Sequence, residues 1–135
     1  MKITLCGSLK FFGEMGEIKK ELERKGHEVH LPIKVSDTNY NDKPIEKGAE
    51  NIKNHNLIKK HYSEIVNSDA ILIINLDKNG IKNYIGGNSF LEMGFAHVNN
   101  KKIFVFNPLP KNLNYAEEMM GMSPVIINGN LNLIK

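Results

Sequence analysis

The chain has 135 residues, of which 41% are hydrophobic and 24% are charged, a balance typical of one globular domain rather than a disordered chain. The net charge of +3 is spread over lysines interleaved with glutamates, which indicates solvated helix faces and argues against a nucleic acid polymer as partner. No apolar run is long enough to span a bilayer, and the first residues enter a strand pattern directly. We therefore expect a single cytoplasmic domain over residues 1–135, with no membrane partner and with small anionic ligands still possible.

The first half of the chain alternates short apolar runs with helical patterns. Residues 3–6 are an apolar run that ends at Gly7 and Ser8, and apolar residues then recur at helical spacing. Residues 27–32 alternate polar and apolar side chains, which predicts an edge strand. Residues 33–50 are polar without a period, and they predict a long surface loop that is either a lid over a site or a disordered excursion.

The second half begins with a helical pattern and then turns strongly apolar. Residues 69–76 form a nearly continuous β-branched run, as a central parallel strand covered on both faces requires. Residues 89–98 predict a helix that is apolar on two faces and therefore packed deep in the domain. Residues 102–107 and 124–128 predict two further strands, with a short helix over residues 115–122 between them.

Strands that alternate with helices imply right-handed crossovers and a parallel sheet. The pattern predicts an α/β fold, a flavodoxin-like three-layer sandwich whose five strands follow the order 2-1-3-4-5. In such a sheet a ligand binds beyond the carboxyl ends of the strands, at the switch point between strands 1 and 3.

Two glycine-containing loops are expected to meet at that switch point. One follows strand 1, and the other is a glycine pair that opens a helix, whose first backbone N–H groups are free to bind an anion. The predicted substrate-binding residues of the two loops are Gly7, Ser8, Gly86, Gly87 and Asn88.

Glu92 is the acid nearest to this predicted site, and it has two interpretations. Ser89 and Glu92 match the capping box S-x-x-E, in which the acid only bonds back to the cap backbone. In a chemical role, its position near a helix N-terminus is expected to keep the carboxylate ionised. Asp69, directly before the central strand, is of the type that satisfies turn amides. Cys6 lies in an apolar run and is interpreted as a buried, inert thiol.

Four stretches of the chain, residues 5–8, 69–70, 87–96 and 101–103, resemble the nucleoside 2-deoxyribosyltransferase family, which includes the 2'-deoxynucleoside 5'-monophosphate N-glycosidases. The acid motif in residues 87–96 is the most specific of them. The chain resembles a divergent member of this family, and the resemblance implies the same flavodoxin-like fold.

The resemblance also implies roles for two acids. Glu92 matches the nucleophile at the sugar C1', and Asp69 matches an acid that assists at the sugar and base. The chain departs from the family pattern at two places. Thr4 and Leu5 stand where an aromatic hydroxyl is common, and Gly86 stands where many transferases have a carboxylate.

The predicted function is cleavage or transfer at the N-glycosidic bond of a (deoxy)nucleoside or its 5'-monophosphate. The alternative is a non-catalytic nucleotide-binding or sensing module of the same fold. Flavin binding is disfavoured, because the loop after strand 1 lacks a run of hydroxyl side chains. No metal and no cofactor is expected, since the histidines lack metal spacing and are assigned surface or packing roles. The resemblance and the methionines at positions 119, 120 and 122 predict a homodimer or larger homo-oligomer.

Overall fold

In the computed structural model, which describes residues 1–34 and 44–135, the strands form one parallel sheet with helices on both faces. The strands are β1 (Lys2–Gly7), β2 (Glu28–His30), β3 (Ala70–Ile74), β4 (Lys102–Val105) and β5 (Val125–Ile126). The helices are α1 (Phe12–Arg24), α2 (Ile45–Asn54), α3 (Leu57–Val66), α4 (Gly87–Val98) and α5 (Ala116–Gly121). The strand order is β2-β1-β3-β4-β5, so the predicted α/β fold and the order 2-1-3-4-5 are confirmed.

The two faces of the sheet follow from the alternation of side chains along each strand. Ile3 and Leu5 of β1 point to one face, where they belong to a core that includes Met15 of α1. Cys6 points to the opposite face, into a second core that contains Met93 of α4. The alternation therefore places Cys6 on the same side of the sheet as α4.

The central strand is β3, which pairs with β1 on one side and β4 on the other. Every residue from Ala70 to Ile74 is at most 1% exposed, which confirms the prediction of a strand covered on both faces. Within residues 1–34 and 44–135, no helix is long and apolar enough to cross a membrane.

The loop predicted over residues 33–50 is partly wrong, because α2 begins within it at Ile45. Ile45, Ala49 and Ile52 follow the spacing of an amphipathic helix, but Ile45 is 87% exposed and Ile52 is 40% exposed, so the described residues leave much of this apolar face uncovered. The middle of the predicted loop, residues 35–43, lies outside the described residues.

The methionine-rich segment divides between core and surface. Met119 is fully buried, whereas Met120 is 55% exposed. Met122 is partly buried, so Met120 is the most exposed methionine of this segment, and the homo-oligomer stays a prediction.

Candidate functional site

A cavity of about 300 Å³ lies beyond the carboxyl ends of β1 and β3, where Gly7 pairs with Ile74. This volume is at the lower end of the range for small-molecule sites. Both glycine-containing loops line the cavity, and so do residues of α2 and α3. The polar lining residues are Ser8, Lys10, Asn51, His61, Lys78, Tyr84, Asn88 and Ser89.

The loop after β1 depends on a close backbone approach. A Cβ atom at Gly7 would lie 2.9 Å from the carbonyl oxygen of Ile74, so only glycine lets the ends of the two strands meet without distortion. Ser8 then caps a short 3-10 turn, with its Oγ accepting from the Lys10 N–H at 3.3 Å. The same Oγ accepts from Lys78 Nζ at 2.9 Å, which ties the loop to the segment after β3.

The second loop ends at the N-terminus of α4, with Gly86 as the N-cap. The first N–H groups of a helix have no intrahelical acceptor, and here Gly87 and Asn88 carry two of them beside the cavity. Gly86 has a second function, because a Cβ atom there would lie 2.9 Å from the hydroxyl of Tyr84. The absence of a side chain at Gly86 therefore allows the Tyr84 ring to line the cavity.

This contact predicts different outcomes for the two neighbouring glycines. Gly86→Ala is expected to displace the Tyr84 ring and to weaken binding of the nucleotide ligand predicted from the sequence by about tenfold, a loss near 1.4 kcal/mol. Gly87→Ala is the matched control, since an added Cβ meets nothing within 4 Å. Calorimetric titration with a nucleoside monophosphate compares the variants. If Gly86→Ala and Gly87→Ala bound the monophosphate with equal affinity, the role given to the Tyr84 ring would be contradicted.

Glu92 lies in the second turn of α4, and the predicted capping box with Ser89 does not form. The reason is that α4 begins at Gly87, two residues before the predicted start, so Ser89 lies inside the helix. Glu92 is only 3% exposed. Its Oε1 accepts a hydrogen bond from Asn88 Nδ2 at 3.0 Å. Asn88 therefore links this carboxyl to the cavity wall.

The expectation that Glu92 stays ionised is also wrong as stated. Burial raises the pKa of Glu92 to about 7, and a hydrogen bond from Cys6 lowers it in part. The helix N-terminus does not offset this desolvation, because its field is strongest in the first turn. Near neutral pH the site therefore holds comparable amounts of carboxylate and carboxylic acid.

Cys6 is buried, as predicted, and its thiol points toward Glu92 because of the alternation along β1. Its pKa is raised by burial and by the neighbouring Glu92, with which it shares a hydrogen bond. Cys6 Sγ also donates to the backbone carbonyl oxygen of Thr4 at 3.9 Å, and the protonated, buried thiol is a poor nucleophile.

His61 is the main site residue that the sequence does not predict. Its Nδ1 lies 3.8 Å from Glu92 Oε2, and its side chain is 12% exposed. Burial lowers the pKa of His61, opposed by the charge of Glu64. Because burial disfavours charge on both His61 and Glu92, the contact is not a formed ion pair. The signal in the sequence is spacing: Leu57, His61 and Ile65 recur every four residues on one face of α3, and the two flanking residues are buried.

Asp69 is not brought to Glu92. Its Oδ2 accepts from the Lys2 N–H at 2.7 Å, at the amino end of β3. The cavity lies at the other end of that strand, roughly 15 Å away at about 3.3 Å per residue. Asp69 therefore satisfies a backbone amide of the neighbouring strand, in keeping with the structural interpretation of an acid at that position.

One corner of the cavity is cationic. Lys78 Nζ lies 5.4 Å from the centroid of the Tyr84 ring, and Lys10 lines the cavity nearby. The pKa of Lys78 is lowered by burial and then by the charge of Lys10. An anion bound between the two ammonium groups would relieve this repulsion. Within the described part of the chain, no group of three or more His, Cys, Asp or Glu side chains could hold a metal ion.

Comparison with solved structures gives neighbours of the same fold. The CMP N-glycosidase BcmB of Clostridium botulinum matches with a TM-score of 0.54 and 17% identity, over 95% of this chain and 90% of that one. A 2-deoxyribosyltransferase from Bacillus psychrosaccharolyticus matches with a TM-score of 0.53 and 19% identity, over 84% of this chain and 77% of the other.

A 2-deoxyribosyltransferase from Leishmania mexicana matches with a TM-score of 0.52 and 18% identity, over 78% of this chain and 63% of the other. No protein-family model matches the chain, and no curated protein matches it by sequence. The neighbours are nucleoside-processing enzymes, and at these identities the likeness establishes the shared fold alone.

Proposed function

We propose that this protein cleaves or transfers the N-glycosidic bond of a (deoxy)nucleoside 5'-monophosphate, with Glu92 as the nucleophile. The observation that carries the proposal is the buried carboxyl of Glu92, which does not itself line the cavity but contacts two residues that do, Asn88 and His61. The same cavity has a cationic corner. The fold shared with an N-glycosidase and two deoxyribosyltransferases supports the same reaction class.

The proposed reaction has two steps. A Glu92 carboxylate oxygen attacks C1' while the bond to the base breaks, and the base leaves with the bonding electron pair and takes up a proton. Water then attacks C1' of the glycosyl ester and gives up a proton to solvent, the bond between C1' and the ester oxygen breaks, and the carboxylate is restored. The released proton balances the one that the base took up in the first step. A free base in place of water gives transfer, with retention at C1' in both cases.

The donors around Glu92 suit this chemistry. Asn88 and Cys6 stabilise the carboxylate through hydrogen bonds, whereas burial destabilises it. The result is a carboxyl that ionises near neutral pH and is weakly solvated when ionised, and therefore reactive. Asp69 has no part in the proposal, because it lies at the other edge of the sheet.

The phosphate is assigned to the cationic corner. Lys78, Lys10 and Ser8 line it, and the free N–H groups of Gly87 and Asn88 border the same cavity. Charge-assisted hydrogen bonds to a phosphate are stronger than those to a neutral hydroxyl. We therefore expect 5'-monophosphates to bind more tightly than the matching nucleosides.

Lys78→Met tests this assignment, since it keeps the length of the side chain and removes its charge. Loss of a charge-assisted hydrogen bond costs about 1.5–3 kcal/mol, so monophosphate affinity is expected to fall about 10- to 100-fold. Affinity for the nucleoside should change little. Calorimetric titration of both ligands measures the difference.

The matched control is Lys82→Met, an exposed lysine in the same segment that does not line the cavity. It should bind both ligands as the wild type does. If the wild type binds monophosphates no better than nucleosides, the phosphate assignment is wrong.

The function itself is tested by incubating the protein with a panel of nucleosides and 5'-monophosphates, with and without an acceptor base. Chromatography of the products distinguishes hydrolysis, which releases free base, from transfer, which gives a new nucleotide. Tight binding without base release across the panel would contradict the enzymatic proposal and favour the nucleotide-binding module.

A further inference from the structure

His61 has a fixed orientation that its role as a cavity-lining residue does not explain. The backbone N–H of Ile33 donates to Nε2 at 3.4 Å, which makes Nε2 the acceptor nitrogen of a neutral ring. The ring proton then belongs on Nδ1, the atom that lies 3.8 Å from Glu92 Oε2. The tautomer assigned from this network therefore directs a donor at the carboxyl of Glu92.

The two oxygens of Glu92 thus face donors from different helices. Asn88, on α4 itself, donates to Oε1 at 3.0 Å, and His61 approaches Oε2 from α3. A shift of about 1 Å would convert the second contact into a hydrogen bond, and catalytic hydrogen bonds often tighten in this way when substrate binds. Both His61 and Asn88 line the cavity, so a ligand bound there would lie against these two residues.

We propose that His61 is a positioning residue whose Nδ1–H fixes Glu92 Oε2, as Asn88 fixes Oε1, so that the ionised carboxylate is stabilised and has a single orientation. Its importance for turnover rests on the proposed function, whereas the contact with Glu92 does not. His61 delivers no proton to the substrate in this role, since its donor hydrogen stays on Nδ1.

Other titratable groups face this pair from neighbouring elements. Cys6 of β1 shares a hydrogen bond with Glu92, and Glu64 of α3 acts on His61. His30 of β2 lies with its Nδ1 3.5 Å from Glu64 Oε2, one step further from the site. Substitutions of His61 leave these groups in place, so their effects on the titration midpoint of Glu92 are the same in all the variants compared.

The experiment compares His61→Phe, which removes the donor and keeps a ring, with His61→Asn, whose Nδ2 restores a donor close to the Nδ1 position. The side-chain carboxyl carbon of Glu92 is followed by 13C NMR between pH 4 and pH 9. We expect the Glu92 titration midpoint to rise by about one pH unit in His61→Phe and to return most of the way in His61→Asn. His97→Phe, an exposed histidine on α4, is the control that should not move it.

Kinetics provide the second measurement. In His61→Phe the acid limb of the kcat profile should move to higher pH, kcat at pH 6 should fall about tenfold and KM should change less than about threefold. His61→Asn should recover most of kcat. A Glu92 midpoint that is the same in wild type and His61→Phe would overturn the proposal, whatever the activity.

The NMR titration needs no turnover, so the two proposals fail separately. A moved midpoint in a protein that releases no base would refute the proposed function and leave the His61 contact standing. An active wild type with an unmoved midpoint in His61→Phe would refute the positioning role alone. If His61→Phe does not fold, a midpoint in His61→Leu equal to that of the wild type is the overturning result.

Discussion

Glu92→Gln is expected to lower base release by about 10³-fold or more, while the protein stays folded. An amide cannot form the glycosyl ester, so the substitution removes the covalent reaction pathway rather than weakening one contact in the transition state. Gln keeps the shape of the side chain, and its amide oxygen can still accept from Asn88 Nδ2. Base release under saturating substrate, together with a circular dichroism spectrum, measures both parts of this prediction.

The matched control is Asp69→Asn, which makes the same chemical change at the other edge of the sheet. Its amide oxygen can still accept from the Lys2 N–H, so both activity and fold should be retained. A Glu92→Gln variant as active as wild type would remove Glu92 from the mechanism. An inactive Asp69→Asn variant that stays folded would contradict the separation of Asp69 from the site.

The same substitution of Glu92 is expected to stabilise the protein at high pH. The pKa of Glu92 is about 7 in the folded protein against an ordinary value of 4.5, so the folded state binds this proton more tightly than the unfolded state. The stabilisation from protonated Glu92 is fully present below about pH 4.5 and is lost as the pH rises through about 7. Full ionisation at pH 8 thus costs the wild type about 3 kcal/mol of unfolding free energy.

Gln carries no charge at any of these pH values and escapes this cost. Wild type and Glu92→Gln should melt at similar temperatures near pH 5, and the variant should melt on the order of 10 °C higher at pH 8. Thermal melts in a series of buffers test this, with Glu117→Gln as the control at an exposed carboxyl. If the difference in melting temperature between wild type and Glu92→Gln did not change with pH, Glu92 would ionise as an exposed glutamate does, contrary to this prediction.

These two expectations describe one compromise. A buried carboxyl destabilises the folded state when it is ionised, and in the proposed function the same weak solvation makes Glu92 reactive toward C1'. The expected activity loss and the expected stability gain of Glu92→Gln therefore have a common cause.

The fold is largely predictable from the sequence, because its strongest signals are local. The apolar run of β3 can be buried only in the middle of a sheet, and alternation of strands and helices then restricts the topology. The prediction misses α2, because its helical spacing rests on only three apolar residues, Ile45, Ala49 and Ile52, in an otherwise polar stretch. It predicts the start of α4 two residues late, since a glycine pair usually indicates a loop.

The site is less predictable, because its properties arise from contacts between elements. The motif identifies Glu92, whereas its raised pKa comes from packing against β1 and α3, which no local pattern records. His61 is close to Glu92 only because α3 and α4 pack together on one face of the sheet. Asp69 enters the predicted site through a resemblance in sequence, and the direction of β3 places it at the opposite edge.

Mass spectrometry of the acid-quenched reaction distinguishes a nucleophilic Glu92 from a carboxyl that only stabilises charge. Wild-type protein is mixed with a 5'-monophosphate whose base it releases, quenched during turnover, digested and analysed peptide by peptide. We expect a sugar phosphate ester on the carboxyl of Glu92, present in wild type and absent from Glu92→Gln. Base release in the same samples with the adduct on another residue, or with the peptide carrying Glu92 unmodified at every time point, would contradict the role of Glu92 as the nucleophile.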